Sequence, residues 1–365
     1  MTLFRYLFVR YVFVFSALLG VLGIFSSLVT MVEITAEFSR SNLGFQQILG
    51  LTLLRVPGTL YQILPLVVIL ATVAMLLGLA RSSELVVARS AGRSGLVLLM
   101  APALAAFLIG LVAIGAANPI VAATKSRYDE VASRYKAGGR SILSISGDAL
   151  WLRQGDAEGQ VVIRAERSNN QGNEFKDVTF LGLDSDGTPS FRIQADAAEL
   201  TPAGWAIRDA TRWEIEPGID PQTAMRKAPL MHLDSNLTVD QVRDGFGDPS
   251  TNSLWELPGF IKQLQQAGFS ARRHQMWMQA ELSQPLMLVA MVLVSAAFTM
   301  RPQRMGQTGM LVVGAIGLGF GAYFIRNLMS LLGENGQLPI IAAAWGPPVA
   351  IVLFAVGIIL HMEDG

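Results

Sequence analysis

The sequence predicts an α-helical membrane protein of six transmembrane helices with an inserted antiparallel β-jelly-roll domain. Of its 365 residues, 52% are hydrophobic and 15% are charged, and the mean hydropathy is +0.43. Soluble domains carry about 25% charged residues, so this chain is too apolar for that class. The charge is also uneven, because 40 of the 56 charged side chains lie between Asn118 and Ser283. The uneven charge therefore predicts that one part of the chain lies in lipid and the other in water.

Six charge-free runs of at least 19 residues are the candidate spans. A helix rises about 1.5 Å per residue and the hydrocarbon core of a bilayer is about 30 Å thick, so each run is long enough to cross. No small-residue cleavage site follows the first run, which is longer than the apolar core of a signal peptide, so we expect it to be retained. In order, the runs are Tyr11–Val32, Val56–Ala80, Ser94–Thr124, Leu282–Met300, Met305–Ile325 and Asn335–Met362.

The short loops predict the orientation. With the N-terminus inside, the internal loops carry a clear basic excess, as the positive-inside rule expects. They hold Arg5, Arg10, Arg81, Arg89, Arg93, Arg301 and Arg304. The short external loops hold arginines mixed with glutamates. This orientation divides the chain into helices 1–3 over residues 1–117, an external domain over 118–283, and helices 4–6 over 284–365, with both termini inside.

The polar insert is predicted to be a β domain. Short runs of alternating apolar and polar residues are separated by turn signals, which is typical of an antiparallel sandwich or jelly roll with an open edge. The strand candidates lie at 141–146, 150–153, 160–164, 178–183 and 205–208. Charged helix is expected over Lys125–Lys136. A second helix should open at the capping box Ser253–Glu256, bury a stripe at Leu254, Leu257, Phe260, Ile261 and Leu264, and stop at Gly268.

Several kinds of chemistry are absent from the sequence. The net charge is zero, which removes the argument for nucleic-acid binding, and there is no cysteine for disulfides or thiolate sites. No Walker A motif is present, and the three histidines are too scattered for a zinc site, so we expect no cofactor and no metal. The six runs contain no charged residue, unlike the spans of ion-coupled transporters. Gly317 and Gly321 form a small-residue pair for close helix packing, either within the chain or against a partner helix.

A polar connector joins the second and third runs. The segment Leu79–Gly92 is long enough for about three helical turns, and Ser82 or Ser83 can cap it. We predict a helix over about residues 81–92 that displays Arg81, Glu84 and Arg89. Such a helix, tied to two spans, is either a handle for a soluble motor or an amphipathic turn lying on lipid headgroups.

The connector resembles the coupling helix of the LptF/LptG family of lipopolysaccharide export permeases, through its Ser83-Glu84-Leu85 core. The resemblance covers nearly the whole chain. It extends to Arg5-Tyr6, Val56-Pro57, Leu64-Pro65, Leu150-Trp151, the stretch 237–240 and Gln284-Pro285. Gln284-Pro285 and the stretch 338–341 are closer to the LptG branch than to the LptF branch.

The resemblance implies a non-catalytic half-transporter in the cell inner membrane, with cytoplasmic termini and a periplasmic β-jelly-roll domain. Its partners would be an LptF-like permease, an LptB-like ATPase dimer that binds the ATP, an LptC-like bitopic protein and a periplasmic LptA-like bridge. The cargo would be lipopolysaccharide. Glu84 matches the family's coupling-helix glutamate, which engages a basic residue of the ATPase.

The sequence departs from the family near the outer end of the first span, where lysines are thought to meet lipid A phosphates. Here Glu33 and Glu37 would repel phosphate. Arg40, Arg55 and Arg326 are the remaining candidates for the lipid head group, although Arg326 could instead extend toward lipid headgroups. A non-transporting scaffold or sensor, whose outer β domain binds an envelope ligand, is the alternative function. An ion-coupled transporter would lack the intramembrane charges it needs.

Overall fold

A computed structural model gives the fold of the chain as two compact units. The helical unit comprises Met1–Ala137, Ser250–Leu257 and Arg272–Gly365, and the sheet unit comprises Gly138–Pro249 and Pro258–Ala271. The structure describes residues 2–39, 43–90, 92, 94–135, 143–146, 149–155, 159–168, 173–184, 186–201, 203–215, 225–235, 237, 242, 248–266, 270–299 and 308–364.

Ten α-helices lie within the described residues. They are α1 (Thr2–Glu37), α2 (Phe45–Arg81), α3 (Glu84–Ser90), α4 (Gly95–Val112), α5 (Asn118–Tyr135), α6 (Leu257–Gln266), α7 (Arg272–Leu282), α8 (Gln284–Thr299), α9 (Thr308–Glu334) and α10 (Ile340–Asp364). A π-helical segment, Ala113–Ala117, joins α4 to α5, so the third span continues as the predicted charged helix. Lys136, the predicted end of that helix, lies outside the described residues.

Five helical segments in the described chain are long and apolar enough to cross a membrane. They are Leu3–Glu37, Phe45–Arg81, Gly95–Ala132, Val313–Glu334 and Ile340–Met362. A sixth span forms when α7 and α8, which meet at an angle of 50°, are taken together. The prediction of a membrane α-helical fold with an inserted antiparallel β domain is confirmed, and the fourth span is a bent helix pair.

The bend in the fourth span follows from the sequence at its start. The predicted run begins at Leu282, but α8 alone has only 16 residues, or about 24 Å of helix. Pro285 has no N–H to donate to the carbonyl of Glu281, and its ring clashes with that carbonyl in a straight helix. The chain therefore breaks at Ser283, and the more polar α7 supplies the rest of the span.

Helix α8 lies at the centre of the helical unit. It packs against α2, α4, α9 and α10, and 13 of its 16 residues are buried, as expected of a helix that is apolar on every side. The closest approach is to α4, where a Cβ atom built on Gly110 would lie 2.5 Å from the Cα of Pro285. Only a glycine permits this contact between the two backbones.

Eight strands form one antiparallel sheet in the sheet unit. They are β1 (Leu143–Ser146), β2 (Ala149–Gly155), β3 (Gly159–Ala165), β4 (Arg167–Ser168), β5 (Glu174–Asp184), β6 (Pro189–Thr201), β7 (Gly204–Glu214) and β8 (Met225–Leu233). The order is β1-β2-β3-β5-β6-β7-β8, with β4 paired to β5. All five predicted strands are present, whereas β4, β6 and β8 were not predicted. Strand β8 ends the described sheet and contains Pro229, which is tolerated in an edge strand.

One face of the sheet carries the core of this unit. Ile163, Phe180 and Ile193 face each other across successive strands and are fully buried. Trp205 of β7 is also fully buried, and its indole Nε1 donates to Gln154 Oε1 on β2 at 3.0 Å. Because three strands separate β2 from β7 in the sheet order, this bond means that the sheet curls back on itself around a closed interior.

The helix after the sheet begins later than its capping box. Residues 254–256 form a turn and α6 starts at Leu257, although the Glu256 carboxylate accepts the backbone N–H of Ser253 at 3.3 Å, as a capping box requires. The predicted stripe is confirmed: Leu254, Leu257, Ile261 and Leu264 are buried and Phe260 is half-buried. Gly268, the predicted stop, lies outside the described residues.

Candidate functional site

The candidate site has two parts, one at each end of α1. Arg10 lies near the N-terminal end of this helix and Glu33 near its C-terminal end. Glu33 is 23 residues after Arg10, which corresponds to about 35 Å of helix, close to the thickness of a bilayer core. One continuous helix therefore touches both parts.

The connector helix α3 is shorter than predicted. It covers Glu84–Ser90, seven residues or two turns, rather than three turns over about 81–92. Helix α2 continues to Arg81, and Ser82 ends it with a backbone N–H that bonds to the carbonyl of Gly78. Ser83 has a φ of +60°, which turns the chain sharply, and its carbonyl accepts the N–H of Val87 to start α3. Ser82 and Ser83, which were predicted to belong to the connector helix, therefore form the turn before it.

Glu84, the predicted coupling residue, is held at the start of α3. Both of its carboxylate oxygens lie 3.1 Å from the Arg10 Nη1 atom of α1, and the Ser82 hydroxyl donates to Oε1 at 2.8 Å. The Ser82 hydroxyl lowers the pKa of Glu84 below its usual 4.5, and hydrogen bonds and charge from Tyr6 and Arg10 add to that effect. The side chain keeps 39% of its surface exposed, so its carboxylate remains within reach of a partner.

Arg10 is the residue of this site that the sequence reasoning missed. Its guanidinium lies over the Tyr6 ring and packs so closely on α2 that a Cβ atom at Gly78 would be 3.3 Å from Nη2. It therefore fills the corner between α1, α2 and α3. The sequence did carry a local signal for this residue. Tyr6 and Arg10 are four residues apart, so they lie on the same face of α1 and can contact each other. We call Tyr6, Arg10, Gly78, Ser82 and Glu84 the connector site.

The other two predicted coupling residues are only partly described. Arg81 is exposed in the last turn of α2. Arg89 belongs to α3, but its side chain lies outside the described residues. Their roles stay predictions.

The second part of the site is a cavity of about 830 Å³ between α1, α2 and α5. We call it the α1–α2–α5 pocket. Apolar side chains such as Leu22, Phe25 and Leu66 line its depth, and charged groups gather at the C-terminal end of α1. Those charged groups are Glu33, Glu37, Arg55, Lys125 and Asp129. An apolar cleft with a charged end suits a molecule with acyl chains and a polar head.

Arg55 pairs with the two glutamates that were expected to repel phosphate. Its guanidinium lies 3.5 Å from Glu33 and 3.4 Å from Glu37, and 5.7 Å from the centre of the Tyr128 ring. The repulsion is therefore smaller than the sequence indicated, but the positive charge of Arg55 is shared with two carboxylates. Lys125, which the sequence analysis counted only as part of a charged helix, is a further cation of the pocket and hydrogen-bonds Ser250.

The predicted head-group arginines do not form one cluster. Arg55 lines the α1–α2–α5 pocket, and Arg40 lies outside the described residues. Arg326 lines a different cavity, where its Nη2 atom donates to the carbonyl of Ala280 at 3.3 Å. Arg326 thus bonds within the protein, which disagrees with the alternative that it only extends toward lipid headgroups.

The structure corrects the expectation that the spans hold no charge. Glu281 lies one residue before the predicted fourth run and is only 2% exposed, inside the helical unit. Tyr61 donates to its carboxylate, as does the Asn118 amide at 3.3 Å. The predicted run began at Leu282, so Glu281 was expected to lie outside the span. In the structure the span includes α7, and Glu281 is buried within it. Among the described residues, no group of three or more His, Asp or Glu could hold a metal ion.

The predicted glycine pair does not pack within the described part of the chain. A Cβ atom at Gly317 or Gly321 would meet no atom within 4 Å. The neighbouring Gly319 makes the close contact, because a Cβ atom there would overlap Ile69 of α2. Packing of Gly317 and Gly321 against a partner helix stays a prediction.

Comparisons with known proteins decide the family. The model of the family described as "Lipopolysaccharide export system permease LptF/LptG" matches residues 5–361. The chain belongs to the LptF/LptG permease family. It is similar to the lipopolysaccharide export system permease protein LptG of Escherichia coli strain K12, with 23% identity over 95% of this chain and 96% of that protein. It is also similar to LptG of Haemophilus influenzae, with 24% identity over 94% of this chain and 92% of that protein.

Membership of the LptF/LptG family agrees with the fold described above. The relatives carry the LptG name, as the resemblance of Gln284-Pro285 and the stretch 338–341 predicted. With five or six spans, the chain is a multi-pass inner-membrane protein, and its part in a transporter is that of a permease rather than of a catalytic subunit.

Proposed function

We propose that the chain is the permease subunit of an ATP-driven transporter that extracts lipopolysaccharide from the inner membrane and passes it to a periplasmic β-jelly-roll bridge. The observation that carries this proposal is the connector site. A short helix outside the spans is bonded, through Glu84 and Arg10, to the same helix whose other end lines the α1–α2–α5 pocket. A displacement of α3 can therefore be transmitted through α1 to the lipid-sized α1–α2–α5 pocket.

Glu84 has two roles in this proposal. Its carboxylate holds α3 to α1 through Arg10, and its exposed surface accepts a basic residue of the ATPase. An exposed ion pair contributes only about 0–1 kcal/mol, so a motor can break and remake it in each cycle. ATP hydrolysis then takes place on the partner, and α3 transmits the displacement.

The α1–α2–α5 pocket holds the lipid. Acyl chains lie against its apolar depth, and the polar head lies at the end where α1, α2 and α5 carry charge. Arg55 and Lys125 are the cations of this end, with Arg40 a further candidate. Three carboxylates oppose them, so the head group is held by individual hydrogen bonds and ion pairs more than by a positive field.

The remaining subunits follow from the chain's place in the family. An LptF-like permease completes the membrane part, an LptB-like ATPase dimer binds α3 from the cytoplasm, and an LptC-like protein and an LptA-like bridge receive the lipid outside. In this arrangement the termini are cytoplasmic and the curled sheet is periplasmic. Exposed apolar side chains on α1 and α9, Phe13 and Phe320 among them, support contact with a partner helix or with lipid.

Co-purification tests the proposal. The tagged chain is isolated from native membranes, and the accompanying proteins are identified and assayed for ATP hydrolysis with added lipopolysaccharide. We expect an ATPase subunit to follow the chain and Glu84→Lys to remove it. Arg10→Gln should keep the ATPase bound but reduce the lipopolysaccharide-stimulated hydrolysis, because the link from α3 to α1 is broken while Glu84 remains.

Glu256→Gln is the matched control, since Glu256 is an exposed carboxylate of the helical unit far along the chain from α3. It should behave as the unmodified chain. A preparation in which no ATPase accompanies the chain would contradict the proposal and favour the scaffold or sensor. Retention of the ATPase by the Glu84→Lys variant would instead remove Glu84 from the coupling contact.

A further inference from the structure

The bent span creates a second cavity, of about 400 Å³, between α2, α7, α8 and α9. We call it the α7 cleft. Its volume falls within the range of about 300–1,000 Å³ that is typical of ligand sites. Side chains from four helices line it, among them Tyr61, Trp277, Gln284 and Arg326.

The floor of the α7 cleft is a buried, hydrogen-bonded carboxylate. Tyr61 and Asn118 donate to Glu281, and the Asn118 Oδ1 atom accepts the backbone N–H of Leu254 at 2.8 Å. These bonds fix the carboxylate, the phenol and the amide in one orientation. A fixed carboxylate accepts hydrogen bonds from hydroxyl groups without having to reorganise.

Two further polar atoms of the cleft are buried without a partner among the described residues. They are the indole Nε1 of Trp277 and the side-chain Oε1 of Gln284, whose side chain is 98% buried. An unsatisfied buried donor or acceptor costs about 1–3 kcal/mol, so each one in a native protein calls for an explanation, and a bound ligand group is the explanation argued for these two. One N–H donor and one carbonyl acceptor in the same cleft match a ligand group that both accepts and donates, as a hydroxyl does.

The charges of the cleft argue against an anionic ligand. The lining includes one guanidinium group, that of Arg326, and two carboxyl groups, those of Glu281 and Glu334. A phosphate would meet no positive excess here, and a cation would meet the guanidinium of Arg326. Neutral groups with several hydroxyls and an apolar ring face fit the mixture of amide, carboxylate and aromatic side chains.

We propose that the α7 cleft binds a neutral sugar ring of the transported glycolipid. The proposal rests on the proposed function for the identity of the cargo. Gln62 lines both the cleft and the α1–α2–α5 pocket, so one lipid can place its chains in the pocket and a sugar in the cleft. The cleft then selects glycolipids over phospholipids by their hydroxyl groups, and the pocket selects by acyl chains and charge.

Direct binding tests this assignment. The full chain, with the subunits that accompany it, is placed in nanodiscs, and binding of a neutral dihexosyl diacylglycerol is compared with binding of phosphatidylglycerol. Trp277→Phe removes the unpartnered N–H, and Gln284→Met removes the unpartnered carbonyl oxygen together with the amide nitrogen; both keep an apolar side chain of similar shape. We expect each to weaken binding of the neutral glycolipid about fivefold, the effect of one hydrogen bond, and to leave binding of phosphatidylglycerol unchanged.

Trp345→Phe is the matched control. It also removes an indole N–H, but that N–H already donates to Gln279 Oε1 at 3.1 Å outside the cleft. We expect normal glycolipid binding from it. The two cleft variants should remain folded, since neither loses a bond within the described part of the protein, and their melting temperatures in detergent check this.

Two results would overturn the assignment. One is a neutral glycolipid that binds equally to the unmodified chain and to both cleft variants. The other is an equal loss of phosphatidylglycerol binding, which would make the cleft a site for an anionic head group. Failure of the proposed function looks different, because it appears as a missing ATPase in co-purification and leaves this binding measurement intact.

Discussion

Replacing Gly110 by Ala should separate α4 from the start of α8. The new Cβ atom would lie 2.5 Å from the Cα of Pro285 and 2.9 Å from its Cβ. The atoms it meets belong to a backbone and a proline ring, so they cannot rotate away, and one helix must move. Overpacking of this kind costs about 1–3 kcal/mol. The shift acts directly on the break at Ser283, and thus on the α7 cleft.

Gly317→Ala is the internal reference for this experiment. Gly317 also lies inside a long helix, but a Cβ atom there meets nothing within 4 Å in the described part of the chain. Alanine favours a helix over glycine by about 1 kcal/mol at both positions, so this gain cancels, and the two variants should differ by the overpacking cost of about 1–3 kcal/mol in unfolding free energy. Unfolding in sodium dodecyl sulfate, followed by tryptophan fluorescence, measures the difference. Equal stability of the two variants would refute the close packing of α4 on Pro285.

Three further predictions concern hydrogen bonds of buried or partly buried side chains. Because the pKa of Glu84 is lowered, its contact with α1 should persist above pH 4.5 and be lost as the pH falls through the folded pKa; Ser82→Ala should move that loss to higher pH, as hydrogen exchange in α3 can show. Tyr61→Phe takes a donor from buried Glu281 and should destabilise the helical unit by about 1–3 kcal/mol, whereas an unchanged denaturation midpoint would contradict that bond. Gln154→Leu removes the acceptor of the buried Trp205 indole N–H, together with the bonds from Gln154 to Ser235 and to the Asp234 carbonyl, and should cost the sheet unit at least about 1–3 kcal/mol, read by limited proteolysis.

The spans were predictable because membrane crossing needs only length and apolar composition. Five runs correspond to helices of the structure. The fourth span was harder to predict, because the length of a charge-free run does not indicate whether the helix is broken within the span. Pro285 carried the signal for it: a proline just after polar residues at the start of a short run marks a helix end as well as a helix start. Reading Ser283 and Pro285 together would have placed α7 in the span.

The missed strands have different physical causes. Strand β6 is rich in alanine and in acidic residues, which have low β propensity. Its neighbours β5 and β7 stabilise it from both sides, and that is tertiary information. Strand β8 contains Pro229, which normally demotes a run to non-strand; the edge position resolves the conflict. The curl of the sheet depends on the bond between Gln154 and Trp205, whose partners are 51 residues apart.

The candidate site was predictable where a short motif carries it. Glu84 stands in a local motif, and the structure places its partly exposed carboxylate at the start of α3, while its coupling role stays a prediction. Its partner Arg10 is 74 residues away, and no local pattern links them. Glu281 was missed for a similar reason, because a carboxylate at the border of an apolar run looks solvent-exposed until the helix bend turns it inward.

Burial along α1 shows how the two parts of the candidate site can move together. Leu7, Tyr11 and Phe15 are buried near its start, and Thr30, Ile34 and Phe38 are buried at or just beyond its end. No residue between 16 and 29 is buried in the described helix, and it is along the latter half of this stretch that α1 borders the α1–α2–α5 pocket.

A helix that is fully buried only towards its two ends, and half-buried in its middle, can act as a strut. The N-terminal contact includes the exposed ion pair from Arg10 to Glu84, and the C-terminal contact includes the pairs from Arg55 to Glu33 and Glu37. Each such pair is worth about 0–1 kcal/mol, less than the burial of one large apolar side chain, which is about 1.5–3 kcal/mol. The apolar anchors therefore keep α1 in place while the ion pairs exchange partners. A force applied at α3 should consequently bend α1 between its buried ends and change the width of the α1–α2–α5 pocket beside it.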